Sequence, residues 1–154
     1  MPQPEAAKDG AWFPQRIVSL QPSVTVVLER LGVLDRLVAC TKYCAATCPQ
    51  VAGRNLIVHD SWSSRTSEIL AARPDLVIAS VPYREESLKE ILKSSVPVLT
   101  LAPKSLRDIY GDIALIAGAA GVAERAPAVI EAMQAEIESV RRRTEGLPRP
   151  RVFA

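Results

Sequence analysis

The sequence predicts an α/β fold built on a mainly parallel sheet flanked by helices, and three observations carry that prediction. Leu76, Val77, Ile78 and Ala79 form a short continuous apolar run, the pattern of a strand covered on both faces of a parallel sheet. That run follows at once on a short helical segment containing Ile69, Leu70 and Ala72, which Arg73-Pro74 must end because proline disfavours helical geometry in the residue before it. A helix that feeds a strand through so tight a turn is half of an α/β unit. Finally, twelve prolines stand against seven glycines and fall mostly at predicted element boundaries, which suits many short alternating elements.

At 154 residues the chain is one ordinary domain, long enough to bury roughly 70% of the surface of its unfolded form. With 48% apolar and 23% charged residues and a net charge of +2, neither disorder nor an extended nucleic-acid footprint is indicated. No apolar run approaches the roughly 20 residues needed to span a bilayer. The first fifteen residues lack the basic start and apolar stretch of a secretory signal, so as written the chain reads as cytoplasmic or already stripped of a leader. Cys40, Cys44 and Cys48 lie within nine residues, and an odd number so clustered does not resemble a disulfide framework.

Taken in order, residues 1–15 are an N-terminal extension and Arg16–Leu20 is a strand by its β-branched content. Gln21-Pro22-Ser23 turns into an apolar-rich helix running to about Leu31, with Gly32 as its left-handed stop. A second strand is expected over Leu37–Thr41, then a long aperiodic loop over Lys42–Asn55, and a short strand at Leu56–Val58. Loops of that size in a compact domain are usually functional or mobile. The segment containing Trp62 precedes the helix that carries Glu68 in its first turn. After Ser80 a helix follows with Leu88, Ile91 and Leu92 on one face and Glu86 and Glu90 opposite. Pro97–Leu101 is the next strand, and Ser105 with Asp108 three residues on gives a capping-box-like start to a helix reaching Ala120. From Glu124 to about Glu145 runs a long helix, with Pro127 tolerated in its first turn and a stripe of Ile130, Met133, Ile137 and Val140. Arg141–Arg143 suit the negative pole of its dipole and read as a solvated helix end rather than a nucleic-acid contact. Gly146–Pro150 breaks the helix, and Arg151–Ala154 is expected to open a new strand.

The segments RIVSLQPSVTVVLERLGVLDRLVACTKYC, SEILAARPDLVIAS, VPVLTLAPKSLRDIYGDI and GLPRPRVFA, in that order and spacing, resemble the helical-backbone class of ABC-transporter substrate-binding proteins. These are the receptors for cobalamin, ferric siderophores, haem and some metals. The resemblance implies a Rossmann-like lobe over residues 16–123 and a linking helix over 124–146. It also implies a second lobe, absent here from about Arg151 onward, of which 147–154 is the start. The ligand would lie between the lobes, with cobalamin or an iron chelate as cargo rather than cofactor, and the protein would work outside the cytoplasm. The cobalamin-binding branch looks nearest. Matching its motifs assigns Tyr43 and Trp62 to the ligand cleft and Glu68 to an arginine of the membrane permease. Broad aromatic faces bury much apolar area at small rotamer cost, and an exposed carboxylate steers docking. Pro22 and Ser23, at a helix start after a strand, would offer backbone N–H groups to an anionic ligand group. A single lobe would bind weakly, or dimerise through its exposed half-cleft.

Plainer readings stand beside each assignment. A Trp in a polar loop is most often packed on its own domain, a first-turn glutamate complements the helix dipole, and Tyr43 could equally be a half-buried core residue. The sequence departs from the family at Cys44–Pro49, where many relatives carry an aspartate and paired prolines. Cys44 and Cys48, four apart, with His59 eleven residues further, include thiolate and imidazole donors for a soft metal, but a structural site needs four ligands. A cytoplasmic enzyme or redox protein using Cys44 or Cys48 as nucleophile is the alternative from another class. It lacks a glycine-rich phosphate loop, a nucleophile elbow and a convincing acid–base pair.

Overall fold

The computed structural model describes residues 12–53, 55–59, 65–81 and 85–151. Its five strands are β1 (Ile17–Ser19), β2 (Leu37–Thr41), β3 (Leu56–Val58), β4 (Leu76–Ser80) and β5 (Val98–Leu101), in the order β3-β2-β1-β4-β5. All four pairings are parallel. The helices are α1 (Pro22–Arg30), α2 (Lys42–Thr47), α3 (Thr66–Ala71), α4 (Glu85–Lys93), α5 (Leu106–Ala119) and α6 (Ala126–Thr144). Every residue of β1 and β4 is buried, as continuous apolar strands covered on both faces require.

The two faces carry separate cores. Val24 and Leu28 of α1, Cys44 of α2, Ile113, Ile116 and Ala117 of α5 and Ala126 at the start of α6 pack on one face with Ile17, Cys40 and Ile78. Ile69 and Ala72 at the end of α3 and Ile91 of α4 cover the other with Val18, Ala39, Val77 and Ala79. The alternation follows from strand geometry, since successive side chains point to opposite faces.

Local chemistry sets the element ends. Gly32 and Gly121 stop α1 and α5 with φ of 71° and 72°, the left-handed geometry that costs glycine least. At Gly121 a Cβ would also fall on the Phe13 ring. The N-cap Ser105 Oγ accepts from the Asp108 amide at 3.2 Å, and an Asp108 carboxylate oxygen accepts from the Lys104 amide at 2.9 Å. Asp75 receives the amides of both Gln15 and Arg16 at 2.8 Å, fixing the entry to β1. Arg36 Nη1 donates to the carbonyl of Ala120 at the end of α5, at 2.7 Å. Arg125 Nη1 donates to the carbonyl of Leu31 at the end of α1, at 2.8 Å. Each arginine thus caps the helix that the other's segment adjoins.

Three expectations are corrected. Lys42–Asn55 is not a loop throughout: α2 and a 3-10 turn over Pro49–Val51 occupy most of its first ten residues. The periodicity was hidden because the segment is short and its inward residues are Cys44, Cys48 and Val51 rather than large aliphatics. Leu92 does not join Ile91 inside: it is 61% exposed whereas Ile91 is fully buried. The long helix begins at Ala126, after a 3-10 turn over Ala123–Arg125. Its Val129, Ile130 and Met133 pack on the lobe, while Val140 is 54% exposed. Arg151 has no regular structure, and the rest of the strand expected there lies outside the described residues.

The two arginine caps are testable. Replacing Arg36 or Arg125 by Ala leaves a helix-end carbonyl without its charged donor and should lower stability by about 1–2 kcal/mol, read from urea unfolding. Arg142→Ala near the C-terminal end of α6 should change it by less than about 0.5 kcal/mol. Gly121→Ala should exceed about 1 kcal/mol, because strain and a clash combine.

Candidate functional site

An all-parallel sheet delivers every strand's carboxyl end to one edge. Along that edge the next residues are Ala102 after β5, Val81 after β4, Leu20 and Gln21 after β1, Lys42 and Tyr43 after β2, and His59 after β3. The strand order reverses direction at β1, and the crevice outside such a switch point is where open α/β sheets bind ligands.

At the switch point Gln21 bridges the ends of β1 and β4. Its Nε2 donates across from β1 to the carbonyls of Ser80 at 3.0 Å and Val81 at 3.5 Å. Beneath it Ser19 Oγ donates to the Gln21 carbonyl at 2.9 Å, and Thr25 Oγ1 donates to Ser19 Oγ at 2.9 Å. Sequence reading missed Gln21; its position between a buried strand and a proline-started helix was the available signal.

Of the residues the sequence proposed here, Pro22 needs correction. Proline has no N–H, so of the pair only Ser23 brings an amide to the start of α1. That helix start carries no acidic residue in its first turn, leaving its positive pole uncompensated by its own side chains. Tyr43 lies in the first turn of α2, not in a loop, and at 50% exposure is not a core tyrosine. The Lys42 ammonium sits 4.9 Å from its ring centroid, within cation–π range. Trp62 lies outside the described residues.

Glu68 is less free than a bare surface carboxylate. It stands in the first turn of α3 with its side chain 29% exposed. His59, at the end of β3, contacts Oε2 twice, through Nδ1 at 2.7 Å and its own amide at 3.2 Å. Arg65 Nε lies 4.0 Å from Oε1. The hydrogen bond with the His59 side chain, with smaller help from the His59 amide and the charges of His59 and Arg65, holds this carboxyl below the ordinary glutamate range. The pairing spans nine residues, so no local pattern revealed it.

The cysteines lie under α1. Cys40, Cys44 and Cys48 are all free and buried. Cys44 Sγ sits 3.2 Å from Thr41 Oγ1 and 3.8 Å from the Ser19 carbonyl, to which it donates. Cys48 Sγ points towards Gln50 at 4.0 Å, and burial followed by Glu29 pushes this thiol up. His59, at 53% side-chain exposure, is committed to Glu68. Among the described residues no group of three or more His, Cys, Asp or Glu is placed to hold a metal ion.

The strand order, the helix at the switch point and the long helix leaving the sheet define a parallel, Rossmann-like α/β lobe followed by a long C-terminal helix. The chain belongs to the periplasmic binding protein family, whose profile matches residues 17–154. It is similar to a vitamin B12-binding protein of Pectobacterium carotovorum subsp. carotovorum (strain PC1). The two are 30% identical over 139 residues, 87% of this chain and 48% of that protein. It is also similar to YvrC of Bacillus subtilis (strain 168), an uncharacterized ABC transporter substrate-binding lipoprotein, at 26% identity over 136 residues, 86% of this chain and 42% of that one. Among solved structures, the periplasmic heme-binding protein RhuT from Roseiflexus sp. RS-1 superposes with a TM-score of 0.81 at 25% identity, over 88% of this chain and 52% of RhuT. The chain spans about half the length of the curated relatives it matches.

The Glu68 arrangement predicts a titration. A carboxyl with a depressed folded value keeps its charge, and the contact its strength, above the ordinary glutamate range and loses both as pH falls through the folded value. Carboxyl NMR should find Glu68 below the ordinary value, and His59→Ala should bring it back up. An unchanged midpoint in that variant would contradict the arrangement.

Proposed function

We propose that the chain forms one lobe and the linking helix of the substrate-binding component of an ABC-type uptake system, acting outside the cytoplasm and taking cobalamin or an iron chelate such as haem or a ferric siderophore. In this reading residues 16–123 are the lobe, 124–146 the link, and 147–154 the first residues of a second lobe. Ligand is held at the carboxyl edge of the sheet and is carried without chemical change. The observation that supports this most is the extent of the likeness to a vitamin B12-binding protein, which covers 87% of this chain.

The edge described above suits such a cargo. Tyr43 offers a half-exposed ring beside the crevice, and Trp62 is assigned the second aromatic face. The start of α1 at Ser23, which has no acidic residue in its own first turn, lies at the same edge and favours a carboxylate or phosphate of the ligand. Glu68 is the docking carboxylate for an arginine of the permease, held in orientation by His59 before the partner arrives. A homodimer through the half-cleft is the alternative fate of that surface. Catalysis by Cys44 or Cys48 on an outside substrate has their burial against it.

An absorption titration of the 154-residue chain with cyanocobalamin, haem and a ferric siderophore tests the reading. Half a cleft should bind one of them with a Kd above about 1 μM. Covering the exposed part of Tyr43 with ligand contributes about 1.5–2.5 kcal/mol at the usual area coefficient. Tyr43→Ala should therefore weaken that ligand about ten- to seventyfold. Nanomolar binding by the monomer would contradict the half-cleft, and no spectral change with any of the three would contradict the ligand class.

A further inference from the structure

We propose that a second copy of this chain docks on α6, the two helices crossing antiparallel about a twofold axis between Ile137 and Val140, with Leu147 of each copy seated in the groove between α1, α5 and α6 of the other. The inference goes beyond the transport reading and uses a surface away from the carboxyl edge of the sheet.

The apolar stripe of α6 outlasts the lobe. Ala126, Val129, Ile130 and Met133 pack on the lobe, whereas Ile137 is only partly buried and Val140 and Leu147 are exposed. From Met133 the stripe runs through Ile137, Val140, Thr144 and Leu147 in alternating steps of four and three residues. That is the period of a seam between two helices. Thr144 fits such a seam, because its hydroxyl donates to the carbonyls of Val140 at 2.9 Å and Arg141 at 3.1 Å within its own helix and needs no partner across it. Leu147, just past the helix, is held by its amide to the Thr144 carbonyl at 3.2 Å.

Beside the root of the stripe lies a groove of about 630 Å³, walled by Val26, Val27, Ile113, Val129 and Met133. Its rim carries Arg30, Glu124, Arg125 and Glu136. Glu124 and Arg125 pair with each other at 3.6 Å. Among the described residues neither Glu136 nor Arg143, one further along α6, takes part in an ion pair.

Charge and symmetry select a second copy as the occupant. The spacing of the stripe is the same read from either end, so in an antiparallel pair Ile137 meets the other copy's Val140 twice over and Met133 meets its Thr144. The same register sets Glu136 beside the other copy's Arg143, and the twofold axis repeats that pair. Antiparallel helices also keep the two lobes at opposite ends of the crossing, whereas parallel ones would press both lobes against one face at one end. Because the lobe already covers that face at Ile130, the helices cross at about 50°, the commonest class for packed helices. The crossing carries Leu147 off Ile130 and over the groove. One helix crossing and two filled grooves make an interface at the low end of the specific range, with a Kd of about 10–100 μM.

Sedimentation equilibrium of the whole chain over about 1–500 μM should show the mass rise from one chain to two with a single Kd in that range. Val140→Lys, at an exposed position that folding tolerates, should weaken association more than about tenfold by placing like charges on the axis. Glu136→Arg and Arg143→Glu should each weaken it about three- to tenfold, and the two together should return it to within about threefold of the wild type. Tyr43→Ala should leave it unchanged, which separates this contact from a dimer through the half-cleft. A chain that stays monomeric up to the highest concentration, association indifferent to Val140→Lys, a double variant no better than the singles, or loss of the dimer in Tyr43→Ala would each overturn the proposal.

Discussion

Parallel pairing of β1 with β2 on one side and β4 on the other is the constraint on which the rest of this molecule depends. It buries Ile17, Val18 and Ser19 completely, and it sends the chain away from β1 in opposite directions on opposite faces. The start of α1 is left at the point where the two halves diverge. Gln21 closes that gap from below by donating to carbonyls at the end of β4. The aromatic residue after β2 and the histidine after β3 reach the same edge only because the strands all run one way. A single antiparallel strand would remove its neighbouring residues from the crevice.

The long helix is tied into this frame by exchange of charged donors rather than by apolar area alone. Arg125 lies at the root of α6 and bonds the carbonyl that ends α1, while Arg36, just before β2, bonds the carbonyl that ends α5. The first half of α6 is thereby anchored through α1, the helix whose other end faces the crevice. A helix held at its root in this way keeps a fixed direction relative to the lobe. The apolar stripe continues to Ile137 and Val140, past the residues that pack on the lobe.

Much of this fold was legible because its strands are either continuous apolar runs or β-branched segments, and because proline and glycine mark their ends. Parallel order, the α1 start and the Ser105 cap of α5 all follow from such local signals. The short helix after β2 was not legible. It depends on Thr41 accepting the Cys44 amide at 3.3 Å and on burying small residues beneath α1, neither of which gives a helical period. Leu92 misled for the converse reason: its spacing fits the helix face, yet it stays 61% exposed beside the fully buried Ile91. At the candidate site, Tyr43 and Glu68 were proposed from a family motif, whereas the hydrogen bonds of Gln21 and His59 join partners 59 and nine residues away, a pairing that no local pattern carries. The error over Pro22 was chemical, since its missing N–H was known from the residue itself.

Amide chemical-shift mapping of the isotopically labelled chain during titration with cyanocobalamin and haem tests the central claim, that ligand is held at the carboxyl edge of the parallel sheet. The account predicts perturbations at Gln21, Ser23, Lys42, Tyr43, Val81 and Ala102, following the ends of β1, β2, β4 and β5. Perturbations concentrated instead in the groove between α1, α5 and α6, around Val27, Ile113 and Met133, would contradict it.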